Sequence, residues 1–232
     1  MKISEFLSPG YEQHSKLNPL LWDENDHIRP EIKEKLLKIA KHFRDFVEID
    51  FPILDIVITG GMTGRYYTKH SDIDLHLITD FSKIDCDQEV AELFDTKRLL
   101  YKERFDIEIK QIPVELYIED VKQPAVGGAY SIVKSDWITA STEPKNTIDQ
   151  TSIEKTATTI AKLISKAIKT NDLQSLEKLK KSIWEYRKQG LAQQGEFGTA
   201  NLAFKTLRNS GLLAKLVDKI RELQSAQLGM KQ

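Results

Sequence analysis

The chain has 232 residues, 40% of them hydrophobic and 30% charged, enough for one large core or two small ones, and this composition excludes a disordered or collagen-like chain. No run approaches 18 apolar residues, and Met1 to Gly10 lacks the basic, apolar and small-residue segments of a signal peptide, so no membrane span or export is expected. The single cysteine, Cys86, excludes an internal disulfide and a thiolate-rich zinc site and fits a reducing, cytoplasmic setting, where it reads as an ordinary core or surface thiol. The net charge of −1 hides an asymmetry: 19 Lys and Arg against 28 Asp and Glu up to residue 150, then 15 against 7, or −9 and +8.

Residues 1–28 carry turn formers (Pro9, Gly10, Asn18, Pro19) and no sustained period, which reads as an irregular arm. From Pro30, a good first-turn residue, Ile32, Leu36, Ile39, Ala40, Phe43, Phe46 and Val47 recur at helical spacing. Ile53 to Thr59 and Ile73 to Thr79 are short β-branched runs expected as strands. Cys86 to Arg104 suits a helix. Phe105 to Glu119 alternates around Pro113, which lacks a ladder donor and so predicts a bulge, turn or edge. Residues 124–150, with Pro124, Gly127, Gly128, Pro144 and Asn146, read as a joining region. Beyond it, Ile153–Ile168, Leu173–Tyr186, Thr199–Arg208 and Leu212–Leu223 have helical spacing, with Asn171 and Asp172 as turn and cap. The expectation is an α+β chain: a small mixed β-sheet with flanking helices over residues 29–148, then an all-α, basic helical domain over residues 149–232.

The chemistry concentrates between Val57 and Leu77. One strand ends in Gly60-Gly61, ten residues follow, and Asp72 and Asp74 then stand two apart on the next strand, so their side chains share a face. Paired acids a few ångströms apart repel unless a cation sits between them, and hard oxygen ligands without a Cys or His cluster suit Mg²⁺ or Mn²⁺. Adjacent glycines let backbone amides approach an anion such as a phosphate chain. A third acid, Glu115, interrupts the apolar run Val114-Glu-Leu-Tyr-Ile118; a buried carboxylate needs a partner, which a shared metal would supply. Asp-Ile-Asp alone is ordinarily a solvated strand edge and Gly-Gly alone a turn; it is the ordered set that carries the reading.

This set resembles the signature of the polymerase-β-like nucleotidyltransferase superfamily: an apolar residue, Gly, then Gly or Ser, a gap, two acids separated by one apolar residue, and a third acid on a later strand. The resemblance covers about residues 30–120 and extends less specifically to the helical half. Stretches Gly127–Trp137 and Gly195–Lys205 look similar to a phage-type branch, which would place the protein in a host cytoplasm. It implies a catalytic palm in which Asp72, Asp74 and Glu115 hold two Mg²⁺ (or Mn²⁺) ions and Gly60 and Gly61 cradle an NTP such as ATP. An NMP would pass to a hydroxyl on RNA, a tRNA end, a protein or a small molecule, with release of pyrophosphate. Gly61 stands where many members have serine, and Thr63, Arg65 or Lys69 could compensate in binding the nucleotide. The alternative is a non-catalytic nucleic-acid-binding module on the same scaffold.

Other residues have two readings each. His70 and His76 flank the acids; His76 shares their parity and can meet phosphate or a plain polar partner. Tyr130 and Trp137 can stack on a base or pack internally. Lys178, Lys180, Lys181, Arg187 and Lys188 crowd one helix, either as a solvated face or as a contact for nucleotide or nucleic acid.

Overall fold

The computed structural model describes residues 7–84, 89–123, 127–141, 144 and 148–229; Cys86, Pro124 and Asn146 lie outside the described residues. The chain divides into two compact units, Glu12–Glu143 and Met1–Tyr11 with Pro144–Gln232. The fold is mixed α+β, with a six-stranded sheet in the first unit and helices in both. No described helix is long and apolar enough to cross a membrane.

The sheet unit begins with helix α1 (Pro30–Val47), which starts on a proline that needs no amide partner and buries Ile32, Leu36, Ala40, Phe43 and Val47 along one stripe. Strands β1 (Asp55–Thr59) and β2 (Ile73–Thr79) pair antiparallel. Helix α2 (Glu89–Arg104) then carries the chain back to β4 (Ile112–Asp120), which lies parallel to β2. Before it, β3 (Glu108–Ile109) forms a hairpin with β4 through Lys110 and Gln111, both at positive φ. Pairs of positive φ are the geometry of a tight two-residue hairpin turn, and no Asn-Gly or Asp-Gly advertises this one. Pro113 sits opposite Glu108 of the edge strand β3, one residue before β4 meets β2, so its missing N–H disturbs no central ladder.

Part of the expected joining region is sheet. β5 (Ala129–Ser131) pairs with β1, and β6 (Asp136–Thr139) pairs with β5 as the far edge, giving the order β3-β4-β2-β1-β5-β6. Three residues are too few for periodicity to reveal, yet Ala129, Tyr130 and Ser131 are all fully buried.

Strand alternation sorts the sheet into two faces. Ile56, Ile58, Ile73, Leu75, Leu77, Val114 and Leu116 join the apolar core with α1 and α2. Register places Thr59 beside Asp74, Asp74 beside Glu115, His76 beside Tyr117 and Ile78 beside Glu119, so the opposite face is polar. The stretch between β1 and β2 opens with a 3-10 turn, Gly60–Thr63. Residues 12–28 buttress it: Trp22 Nε1 donates to the Met62 carbonyl at 2.9 Å, and His14 N donates to the Arg65 carbonyl at 2.8 Å. Trp22 also stacks on Trp137 and meets Tyr130 edge-on, each at 5.0 Å between centroids. The expected arm is therefore a packed support in its latter part.

The helical unit comprises α3 (Gln150–Thr170), α4 (Leu173–Gln194), α5 (Thr199–Asn209) and α6 (Leu212–Gln227) around a second core that includes Ala157, Ile164, Leu176, Leu207 and Leu216. Asn171, left-handed at φ 52, ends α3 as the sequence leads one to expect. Residues 7–11 belong here; Ser8 N donates to Ser210 Oγ at 2.7 Å, and Asn209 Nδ2 to the Pro9 carbonyl at 2.7 Å.

Gly60 has φ +76, and a Cβ there would lie 1.9 Å from Asp74 Oδ2, whereas a Cβ on Gly61 would meet only Ser71 Oγ at 3.9 Å. Gly60→Ala is expected to cost about 1–3 kcal/mol and Gly61→Ser less than about 0.5 kcal/mol, measured as urea unfolding midpoints. Equal effects would show that the conformation of Gly60 is not required.

Candidate functional site

Asp72, Asp74 and Glu115 converge. Each offers a carboxylate oxygen, these oxygens lie within 4.8 Å of one another, and all three residues are half-buried. Asp72 stands one residue ahead of β2, and Asp74 and Glu115 are direct neighbours across the parallel pair. Three oxygen donors, two on neighbouring strands and one just ahead of them, with Gly60 against Asp74, fit a hard divalent cation.

Glu115 also has partners within the protein. Lys102 of α2 donates to Oε1, and the Tyr117 hydroxyl donates to Oε2 at 2.8 Å. Burial by itself would raise the Glu115 pKa; the hydrogen bonds from Lys102 and Tyr117, with the charges of Lys102 and Arg98, outweigh it and leave the carboxyl below its ordinary value. Burial first, then the charges of Asp74 and Glu115, push the Tyr117 phenol well up, so it remains a donor. Arg98 lies 5.0 Å over the Tyr117 ring. Besides any metal it shares with Asp72 and Asp74, Glu115 therefore has an ammonium and a phenol as partners within the protein.

His76 lies deeper on the same face. Its Nε2 is 2.9 Å from Thr59 Oγ1, its Nδ1 is 3.0 Å from Glu119 Oε2, and its ring stacks on Tyr117 at 4.6 Å. It takes the plain polar partners, bracing β1, β2 and β4 behind the acids. The hydrogen bond from His76 holds the Glu119 carboxyl below its ordinary value against the opposing effect of burial.

The residues expected to hold nucleotide separate. Gly60 and Gly61 form the turn beside Asp74. Thr63 is 1% exposed, and its hydroxyl donates to the Gly60 carbonyl at 2.7 Å, with the Gly128 carbonyl at 3.1 Å, so it supports the turn from beneath. Arg65, Lys69 and His70 are exposed beyond the turn, the last two in the reversal before Asp72 that is closed by Ser71 N donating to the Thr68 carbonyl at 3.0 Å. Tyr130, fully buried, and Trp137, whose Nε1 donates to the Asp26 carbonyl at 2.9 Å, pack internally and are not a base-stacking platform. Lys102, Arg98, Tyr117, Thr59 and Glu119 went unmarked in the sequence. Strand parity with Glu115 points to Tyr117 and Glu119; nothing local points to Lys102, since its contact is tertiary.

Comparison with protein-family models, curated proteins and solved structures finds no match to the chain.

Two outcomes follow from this geometry. Lys102 is 61% exposed and Glu115 22%, so the ion pair itself stabilises little. Glu115→Gln should therefore change the stability of the metal-free protein by less than about 1 kcal/mol while abolishing any rise in melting temperature on adding Mn²⁺. A loss of several kcal/mol would identify a structural ion pair instead.

Glu119, with its folded pKa lowered, contributes stability that is present above the unfolded value of about 4.3 and is lost as pH falls through the folded value. Glu119→Gln should lower the melting temperature at pH 7, with the gap to wild type closing below pH about 4. A gap independent of pH would remove the His76–Glu119 pairing as its cause.

Proposed function

We propose that the chain is a metal-dependent nucleotidyltransferase that moves an NMP from an NTP to a hydroxyl acceptor. The observation that carries this reading is the meeting of Asp72, Asp74 and Glu115 within 4.8 Å beside the Gly60 turn. The family resemblance in the motif supports it. Asp72, Asp74 and Glu115 would hold Mg²⁺ or Mn²⁺, and bound ions would supply neutralisation of the phosphate charge during an in-line displacement. In that reaction the acceptor oxygen forms a bond to the α-phosphorus, the α–β anhydride bond breaks, and pyrophosphate leaves. A carboxylate oxygen of Asp74 or Glu115 receives the acceptor's proton, and Glu115 is kept ionised for that task by Lys102 and Tyr117. The Gly60-Gly61 turn presents backbone close to the acids, where the triphosphate would lie. The acceptor is RNA, a tRNA end, a protein or a small molecule, and a cytoplasmic setting, supported by one cysteine in 232 residues, belongs to the same proposal.

One observation favours a second reading, a non-catalytic nucleic-acid-binding module: with Lys102 on Glu115, part of the acidic charge is balanced without metal.

Incubation with each α-³²P-labelled NTP, Mg²⁺, total RNA and total protein decides between them. The transferase should release pyrophosphate and label one acceptor class, and Asp72→Asn and Asp74→Asn, which remove charge but little volume, should each lower the rate by at least about a hundredfold while leaving the fold intact. Near-wild-type rates in both variants, or rates unchanged in excess chelator, would overturn the metal assignment; intact NTP under all conditions would favour the binding module.

A further inference from the structure

The helical unit has a basic cleft of its own. It is about 560 Å³ in volume and lies between α4 and α6, with Lys180, Lys181 and Trp184 on one wall and Val217, Ile220 and Arg221 on the other. Trp184 is 36% exposed, unusual for so large an aromatic side chain, and it is held in place rather than free, since its ring meets Phe204 edge-on at 5.1 Å. Phe204 is in turn pinned by the Arg187 guanidinium, 4.4 Å over its ring, and Arg187 Nε donates to Asn201 Oδ1 at 3.0 Å. Arg187 is therefore packed support, separate from the exposed lysines around it. The Lys180 ammonium lies 5.8 Å from the centre of the Trp184 ring, and Lys188 follows Trp184 by one turn on the same stripe.

We propose that this cleft binds single-stranded nucleic acid, with a base stacked on Trp184 and neighbouring phosphates on Lys180, Lys181 and Arg221. An aromatic ring fixed in a basic groove is the combination that tracks an unpaired strand: every base offers a π-face, and the cations follow the backbone. The lining itself holds three cations, Lys180, Lys181 and Arg221, against one acid, Glu177, and further acids stand just outside it. Lys181 lies 3.9 Å from Glu185, Arg221 is 4.0 Å from Asp218, and Glu177 on the cleft wall accepts from Gln224 Nε2 at 2.7 Å. The balance of +8 over residues 151–232 remains, so a polyanion is the complementary partner. An acidic polypeptide would use the cations and leave Trp184 without a role, and a duplex would hide its base faces. The inference goes beyond the proposed transfer reaction and does not depend on it.

The test is fluorescence anisotropy of 5′-labelled 12-nucleotide oligo(U) and oligo(dT), against a duplex of equal length, on the full chain at 50–200 mM salt. Wild type should bind the single strands whether or not it transfers a nucleotide, and bind the duplex more weakly. Trp184→Ala should weaken binding by about fivefold to a hundredfold, with Trp184→Phe largely restoring it. The Lys181→Gln/Arg221→Gln variant, which leaves both cores untouched, should reduce the slope of log K against log salt by about 1.4. That double variant and Trp184→Phe keep the test decisive if Trp184→Ala proves unfolded by circular dichroism. The proposal is overturned by no binding at 50 mM salt, by an unchanged salt slope in the double variant, by folded Trp184→Ala binding within twofold of wild type, or by polyglutamate competing as well as oligo(U). A preference between oligo(U) and oligo(dT) tells which nucleic acid the cleft favours.

Discussion

Like charge brought together is the constraint to which the sheet unit is built. Three carboxylates with oxygens within 4.8 Å repel, and two unit charges at that distance cost about 3 kcal/mol at an effective dielectric constant of 20. Such a cluster persists only if the backbone holds it rigidly and cations offset it. Rigidity comes from the parallel pairing of β2 and β4, which sets Asp74 beside Glu115 in a sheet whose other face carries the apolar core. The offset comes from Lys102 on Glu115 and Arg98 near Tyr117, both projecting from α2, the helix that connects those two strands. The parallel crossover thus delivers the acids and the balancing cations in one stretch of chain.

The Gly60 turn obeys a related constraint. A side chain there would collide with Asp74, so the turn must be glycine at its first position, and a turn that close to charge has to be held from elsewhere. Its supports are polar and aromatic: the Thr63 hydroxyl against the Gly60 carbonyl, the Trp22 indole against the Met62 carbonyl, and the Trp22–Tyr130–Trp137 cluster under them. The β5–β6 hairpin and residues 12–28 therefore serve the site although neither reaches it. Gly128 admits Thr63 in the same way, since a Cβ on it would lie 2.7 Å from the Thr63 hydroxyl oxygen.

The helical unit solves a different problem, a small core with a basic surface. Close approach of α4 and α5 depends on Gly190, where a Cβ would lie 2.3 Å from that of Ala200, and the packing leaves Trp184 exposed and anchored. Charge segregation between the halves is a property of composition; the placement of an aromatic ring among the basic residues is a property of the fold.

Sequence alone determined the elements whose information is local. The α1 stripe from Ile32 to Val47, the parity of Asp72 with Asp74, the glycine turn and the four C-terminal helices all follow from a period of 2 or 3.6 and from residues with special backbone freedom. Three features were decided only by tertiary structure. The β5 strand is three residues long, too short for a period, and is strand because β1 offers it a ladder. Tyr130 and Trp137, each with ligand-binding chemistry, became supports because Trp22 packs against both, and Thr63 became one because the Gly60 and Gly128 carbonyls take up its hydroxyl. Glu115 gained Lys102 as partner because two side chains 13 positions apart meet only once α2 packs across β4, and burial and charge pairing are set by distance in space, which the order of residues does not state.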